Sequence, residues 1–224
     1  MNIKYSVLFF IAAIMGLASC KNNDEVFTPV VITYVNVVNA STDTLNFYLN
    51  GTRQNNGSSI SPTSQSFYLT VPDGQQNYQF KKAGGTVVLF SVPLNLKDSV
   101  NTSLYVYGES ASQTFTTADA LISYTAHPDT TQIRFVNISP DAGSLNVTVG
   151  DTVSFTSQAF KSSTAFAQTG GGKKEVKVFL AGSVTATIDT PIVFQPGGIY
   201  TLYSKGLLKG KGNAAFNVGV AINH

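Results

Sequence analysis

The sequence predicts an all-β protein, in which two tandem β-sandwich domains follow a short targeting segment and a tether. Three observations support this fold class. Apolar and polar residues alternate over short stretches, turn residues recur at a nearly constant offset, and no window shows a sustained helical period. The composition agrees, because 43% of the residues are hydrophobic and only 12% are charged, about half the usual charged share.

The first 20 residues have the layout of an export signal. Lys4 supplies a positive charge, and residues 7–17 form an apolar run that is too short to cross a bilayer as a helix of about 20 residues. Leu17-Ala18-Ser19-Cys20 resembles the lipobox of bacterial lipoproteins, which implies cleavage after residue 19 and a lipid on the thiol of Cys20. An ordinary signal peptide with an incidental cysteine is the alternative.

The predicted location is the outer membrane, to which the lipid on Cys20 would attach the protein. One acyl chain anchors only weakly, so the two or three chains of a lipoprotein are needed for stable attachment. Asp24 and Glu25 resemble the acidic run that sends some Gram-negative lipoproteins to the outer face. We therefore expect exposure at the cell surface, with the periplasmic face as the alternative.

An internal repeat follows the tether. Residues 37–43 (VVNASTD) match residues 135–141 (FVNISPD), and two extra residues, Ala142 and Gly143, then shift the register. A recurrence of turn and strand residues in the same order predicts a duplicated domain. The offset returns to 98 residues for Gly74 and Gly172, Ala83-Gly84 and Ala181-Gly182, Pro93 and Pro191, and Gly108 and Gly206.

Both copies have the two-residue period of β-strands. In Leu45–Leu49 (LNFYL) apolar residues alternate with polar ones, as expected when one face is buried. Residues 78–80 and 176–178 repeat the pattern and lead into Ala83-Gly84 and Ala181-Gly182, which we interpret as hairpin turns.

The returning strands are predicted to end at Pro93 and Pro191, because proline cannot donate a hydrogen bond to a ladder. A further strand is expected near Leu104 and Leu202, and closing strands at residues 214–222 and 120–125. About seven short strands in each copy favour an immunoglobulin-like sandwich.

The chain is therefore divided into four segments. Residues 1–19 are interpreted as the signal peptide and 20–30 as the lipidated tether. Residues 31–127 form the first predicted sandwich and 131–224 the second, with a boundary at His127-Pro128-Asp129-Thr130, a polar segment that contains a proline.

The opening of the second copy resembles an uncharacterised bacterial family. Residues 134–142 (RFVNISPDA) and 145–150 (LNVTVG) are similar to the start of domain of unknown function 4397, whose members open with a hydrophobic-Asn-Ala-Ser-Pro-Asp-Ala stretch. The first copy departs from this pattern at Thr42, which replaces the proline, and lacks the pair Ala142-Gly143. The resemblance implies β-sandwich domains on secreted or surface proteins, often lipoproteins, and implies no activity.

Oxygen-bearing side chains alternate in the repeated motif and raise two interpretations. Such spacing is found in calcium loops, but these normally gather several carboxylates, and each copy has one. Asx turns, in which an Asn or Asp side chain accepts a hydrogen bond from the backbone N–H two residues on, explain the same residues. We favour the turn. The residues are Asn39, Ser41 and Asp43, and Asn137, Ser139 and Asp141.

No catalytic residue, cofactor or metal is predicted. The two histidines, His127 and His224, lie in no motif, and Glu25, Glu109 and Glu175 are scattered. A glycosidase needs two facing carboxylates, a pairing that sequence alone leaves open. A formal net charge of +2 gives no support for nucleic-acid binding.

Lysines cluster in two predicted turns of the second copy. If both turns lie at one end of the sandwich, they form a basic tip that attracts an anionic polysaccharide. The alternative is that these lysines keep turns soluble and protect edge strands. The residues are Lys173, Lys174 and Lys177 in one turn and Lys205, Lys209 and Lys211 in the other.

These features predict a non-enzymatic, lipid-anchored cell-envelope protein that acts in binding, adhesion or envelope structure. The expected partners are the membrane, through Cys20, and a polysaccharide or another envelope protein. Tyr48 and Tyr107 are candidate contact residues, since tyrosine combines contact area with a polar group. The alternatives are an accessory glycan-binding lipoprotein of a polysaccharide-capture system and, less well supported, a hydrolase.

Overall fold

The computed structural model describes residues 31–55, 57–119 and 129–223. Within them, strands are joined by turns and by two single-turn 3-10 helices, Ala111–Gln113 and Gly212–Ala214. No helix of this part has the length and apolar character that a membrane span requires. The predicted all-β class is confirmed. The predicted signal peptide, the tether with Cys20, and His127-Pro128 lie outside the described residues.

Eight described strands form the first sandwich. Its first inner sheet has the order β4-β1-β7-β8, and its first outer sheet has the order β3-β2-β5-β6. The neighbours β1 and β7 are parallel, whereas the other pairs are antiparallel. The strands are β1 (Ile32–Asn39), β2 (Leu45–Leu49), β3 (Thr52–Arg53), β4 (Gln65–Pro72), β5 (Gly74–Lys82), β6 (Phe90–Leu96), β7 (Asn101–Val106) and β8 (Thr114–Asp119).

The second sandwich repeats this plan with nine described strands. The second inner sheet is β12-β9-β16-β17, with β13 also paired to β9, and the second outer sheet is β11-β10-β14-β15. The strands are β9 (Thr130–Asn137), β10 (Leu145–Val149), β11 (Val153–Gln158), β12 (Ser162–Ser163), β13 (Ala167–Gly170), β14 (Gly172–Leu180), β15 (Ile188–Phe194), β16 (Ile199–Lys205) and β17 (Asn217–Ile222).

Two details differ from the predicted strands. Pro93 and Pro191 do not end strands but lie inside β6 and β15, opposite Asn77 and Glu175. The prediction was wrong because β6 and β15 are edge strands, where a missing N–H can face away from the ladder.

The closing strands also differ. The first copy closes with Thr114–Asp119, while the predicted stretch 120–125 lies outside the described residues. The second copy closes with Asn217–Ile222. The loop before this strand is longer than the loop before β8, so the offset of 98 residues does not extend to the last strand.

Each sandwich encloses its own apolar core. Alternate residues of facing sheets fill it, as two packed sheets require. In the first core Phe47 stacks on Tyr78 with 4.8 Å between ring centroids, and Phe80 stacks on Phe90 at 4.9 Å. In the second core Phe194 meets Tyr200 edge to face at 5.2 Å.

The inner sheets of the two sandwiches pack against each other through a third apolar cluster. Tyr105 and Tyr203 meet at its centre, with 5.9 Å between ring centroids. Apart from their first residues, β7 and β9 are therefore buried on both faces, as are residues 35–39 of β1, and every residue of β16 is buried. Six cluster members form three pairs that are 98 residues apart, which gives the interface an approximate two-fold relation. The buried members are Val38, Ala40, Tyr105, Val136, Ile138, Tyr203 and Ala221.

A buried ion pair crosses this interface. Arg134 of β9 binds Asp119 at the end of β8, and their side chains are only 3% and 0% exposed. The Asp119 carboxylate also accepts hydrogen bonds from Tyr68 Oη (2.6 Å), Ser103 Oγ (2.6 Å) and Thr117 Oγ1 (3.0 Å). Several hydrogen bonds thus compensate the cost of burying this charge.

The guanidinium of Arg134 is equally well satisfied. Its Nε donates to Thr201 Oγ1 (2.8 Å), its Nη2 to Thr117 Oγ1 (2.9 Å) and its Nη1 to the carbonyl of Ala118 (3.1 Å). The group also lies 4.7 Å from the ring centre of Phe166. The two sandwiches are joined by a specific polar contact in addition to apolar packing.

Candidate functional site

In both copies the asparagine of the repeated motif holds the turn that follows the first strand; we call this turn the asparagine corner. Asn137 Oδ1 accepts from Ser139 N–H (3.3 Å) and from Ser204 Oγ (2.8 Å), and its Nδ2 donates to the carbonyls of Gly143 (2.8 Å) and Gln158 (2.9 Å). Every hydrogen-bonding position of this buried amide is used. The predicted Asx turn is confirmed.

The first copy uses the same bonds with different partners. Asn39 Oδ1 accepts from Ser41 N–H (3.0 Å), and Nδ2 donates to the carbonyls of Asp43 (2.7 Å) and Ile60 (2.8 Å). The motif carboxylates have other roles. Asp43 forms an ion pair with Lys82 at 3.0 Å, and in the second copy Asp141 accepts the backbone N–H of Leu208 at 3.1 Å.

We expect Asn137→Ala to lower the free energy of unfolding by about 2–3 kcal/mol, because it leaves two partly buried carbonyls and the buried hydroxyl of Ser204 without their partner. Urea unfolding measures the change, and Asn95→Ala on the exposed face of β6 is the control, with a change below about 0.5 kcal/mol. The calcium interpretation predicts instead that added CaCl2 raises the midpoint of thermal unfolding. Such a rise, lost in Asp141→Asn, would contradict the structural role.

The predicted basic tip is not formed, because the two lysine groups lie at opposite ends of the second sandwich. Lys173, Lys174 and Lys177 follow the start of β14, at the end where β13 pairs with the start of β9. Lys209 and Lys211 follow β16 at the other end, in the loop that also holds the Asp141–Leu208 contact. The end of the sandwich at which each lysine group lies depends on strand direction, which the sequence does not show.

Lys205 does not belong to an exposed patch either. It is only 5% exposed, and its Nζ donates to the carbonyl of Asn213 at 3.1 Å. Burial lowers the pKa of this amine. Lys177 lies on the outer face, where it forms an ion pair with Asp189 at 3.6 Å, so part of the predicted positive charge is neutralised within the protein.

The outer face of the first outer sheet is an exposed polar surface. Along β5 the residues Gln75, Asn77, Gln79 and Lys81 alternate with Tyr78 and Phe80, which are fully buried. The strand period therefore directs the first set outward. We call this surface the amide face; its residues are Tyr48, Arg53, Gln75, Asn77, Gln79, Lys81, Ser91 and Asn95.

An aromatic ring lies within this face. Tyr48 of β2 pairs with Arg53 of β3 on one side and with Gln79 of β5 on the other, and Gln79 pairs with Ser91. Lys81 Nζ lies 4.6 Å from the ring centre of Tyr48, a cation–π distance. A half-buried ring, two cations and several amides thus share one surface, which suits a ligand rich in hydroxyl groups.

Sequence reasoning singled out Tyr48 but missed its neighbours on β5. The signal was present in GQQNYQFKK, where every second residue bears an amide or an amine. Tyr107, the other predicted contact residue, makes its contacts within the protein. Its hydroxyl donates to the carbonyl of Ser112 (3.0 Å), and its ring packs edge to face on Phe160 of the second sandwich.

Asp43 and Glu109 do not have the features of a hydrolytic pair. Asp43 and Glu109 approach each other by binding the same amine, Lys82 Nζ, at 3.0 and 2.9 Å. The hydrogen bond from Lys82 lowers the pKa of Asp43, whereas a catalytic acid needs a raised pKa. No group of three metal-binding side chains occurs within residues 31–55, 57–119 and 129–223. Glu25, His127 and His224 lie outside these ranges.

Solved structures give only distant likenesses. CBMbc (family CBM26) from Eubacterium rectale Amy13K, in complex with maltoheptaose, is 10% identical with a TM-score of 0.29, over 84% of this chain and 96% of that one. The Bacillus anthracis TIE protein is 10% identical with a TM-score of 0.25, over 81% and 35% of the respective chains.

A leucine-rich repeat protein from Bacteroides thetaiotaomicron is 12% identical with a TM-score of 0.19, over 76% of this chain and 25% of that one. All three TM-scores lie below 0.5, so these likenesses carry no argument about function. No curated protein matches the sequence.

The match to a protein family is direct. The model of the domain of unknown function DUF4397 matches residues 33–148 and again residues 131–217, and together these regions cover the first sandwich and all but the last strand of the second. The chain belongs to the DUF4397 family.

Proposed function

We propose that this chain is a non-enzymatic, lipid-anchored protein of the outer membrane that binds a partner through the amide face. One observation carries the proposal. The central strands of the inner sheets are buried by contact between the sandwiches. On the outer face, by contrast, the ring of Tyr48, Arg53 and Lys81 are partly exposed and a row of amides is accessible. A rigid sheet that presents such groups is suited to recognition.

The lipid anchor rests on the sequence at Cys20. We expect Cys20→Ala to move the protein from the membrane fraction to the soluble fraction or to leave it as an unprocessed precursor, because the acylated thiol is the proposed attachment. Fractionation with immunoblotting, together with the intact mass of the mature protein, measures this. Retention of fully processed Cys20→Ala protein in the membrane would contradict the anchor.

The amide face favours a carbohydrate partner, as in an accessory glycan-binding lipoprotein of a polysaccharide-capture system. Amides donate to and accept from sugar hydroxyls, and a tyrosine ring provides a surface for the sugar. We expect Tyr48→Ala to abolish binding of the detergent-solubilised protein to a glycan array. Tyr34→Ala is the control, since Tyr34 is 43% exposed and lies on β1, outside this face. If the protein bound no glycan on the array, the carbohydrate partner would be contradicted, and the remaining candidate would be another envelope protein.

A further inference from the structure

We propose that the amide face binds an acidic polysaccharide, and that Arg53 and Lys81 are the cations that contact its carboxylate or sulfate groups. This inference rests on the proposed function, because it names the ligand class of the same face. It also moves the anionic site from the second sandwich, where the lysine motifs place it, to the first.

All charged side chains in the strands of the first outer sheet are positive. Its four strands, all within the described residues, contain no Asp or Glu. Neither Arg53 nor Lys81 takes part in any ion pair of the described part. The guanidinium of Arg53 makes one hydrogen bond, from Nη2 to Ser59 Oγ at 3.4 Å. Both positive charges are therefore free to attract an anion.

The two cations flank the same aromatic ring. Arg53 lies directly opposite Tyr48 in the β2–β3 register, and Lys81 Nζ lies 4.6 Å from the ring centre. A sugar that contacts the Tyr48 side chain thus brings an acidic substituent within reach of a guanidinium or an ammonium. Arg binds carboxylate and sulfate groups well because its donors are arranged as a planar fork.

The face is long enough for a chain rather than a single sugar. Gln75, Asn77, Gln79 and Lys81 occupy alternate positions of β5, a distance of about 20 Å at 3.4 Å per residue. Asn95 lies opposite Gln75 on β6 and widens the row. The amides provide donors and acceptors for neutral hydroxyls along the chain, while the cations at one end fix the acidic group.

The second outer sheet lacks this arrangement. In the equivalent row Thr148 replaces the tyrosine and pairs with Lys177. Lys177 in turn forms the ion pair with Asp189. The tyrosine is missing, Lys177 is paired with Asp189, and Glu175 adds a negative charge to the same strand. The arrangement of Tyr48, Arg53 and Lys81 therefore belongs to the first sandwich alone.

Affinity electrophoresis in gels that contain alginate, dextran sulfate or neutral dextran tests this proposal on the full-length protein in a non-ionic detergent. We expect alginate and dextran sulfate to retard the wild type, and Arg53→Glu/Lys81→Glu to weaken this binding by at least about tenfold. The retardation should fall as NaCl is added, because salt screens exposed charges.

The matched control is Lys173→Glu/Lys177→Glu, which changes the net charge equally on the second outer sheet. An equal loss in the control would overturn the proposal, because net charge alone would then explain binding. Absence of retardation by both acidic polymers would overturn it as well. If neutral dextran retards the wild type, Tyr48→Ala abolishes this and the Arg53/Lys81 reversal changes nothing, the acidic ligand class is wrong while the proposed glycan-binding function stands.

Discussion

Arg134→Met is expected to lower the free energy of unfolding by about 3–5 kcal/mol, the cost of removing one partner from a buried ion pair. The variant keeps an apolar side chain of similar length but leaves the carboxylate of Asp119, whose side chain is 0% exposed, without its cation. Urea denaturation of the purified protein measures the change. We expect Asp119→Asn to cost a similar amount, since it leaves the guanidinium of Arg134 buried without a counter-charge.

The double variant Arg134→Met/Asp119→Asn measures the interaction energy between the two charged side chains. Because neither charge then remains buried, its cost should be well below the sum of the single costs. The control is Lys177→Met, which breaks an ion pair whose side chains are 45% and 52% exposed. Such a pair contributes below about 1 kcal/mol. If Arg134→Met cost no more than Lys177→Met, the ion pair would not stabilise the contact between the sandwiches.

Stability is expected to fall steeply above pH 10, because buried tyrosines must ionise when the chain unfolds. Burial raises the pKa of Tyr78 from 10.0 to about 12. Burial likewise raises the pKa of Tyr68, Tyr105 and Tyr203, and the nearby charge of Asp119 raises the pKa of Tyr68 further. Each folded-state pKa lies above the unfolded value, so the stabilisation is complete below pH 10 and is lost as the pH rises past it.

For Tyr78 alone the shift corresponds to about 3 kcal/mol, at 1.36 kcal/mol for each pH unit. Urea unfolding at steps from neutral pH to about pH 12, followed by tyrosinate absorbance, measures the loss. Tyr78→Phe should reduce it, and should cost little at neutral pH because the hydroxyl has no hydrogen-bond partner among the described residues. The exposed Tyr34→Phe should leave the curve unchanged. Tyrosinate absorbance that rises before the protein unfolds would contradict this account.

Local patterns predicted much of the fold. The alternation in Leu45–Leu49 identified a strand because one face of β2 packs on the core. The corner at Asn137 was predicted because its first hydrogen bond, to Ser139 two residues on, is encoded within the motif. Pro93 was misread, because proline is tolerated in an edge strand and the sequence does not state which strand is the edge.

The candidate site was harder to predict. Lys173 and Lys209 were grouped by charge, but the end of the sandwich at which each lies depends on strand direction and sheet order. Lys205 reads as an exposed lysine, yet a loop carbonyl holds it in the interior. Gln79 and Lys81 of the candidate site could be identified only from the sheet order, which places β5 beside Tyr48.

The sequence by itself determined that this is an all-β chain of two homologous sandwiches with an asparagine corner in each, because side-chain alternation and short-range hydrogen bonds act within a few residues. The tertiary structure alone decided which polar strand faces are buried and which remain exposed. Arg134 and Lys81 both alternate along their strands with residues of a sandwich core. The packing of the inner sheets encloses Arg134 against Asp119, whereas the described residues leave Lys81 without a counter-ion on the outer face.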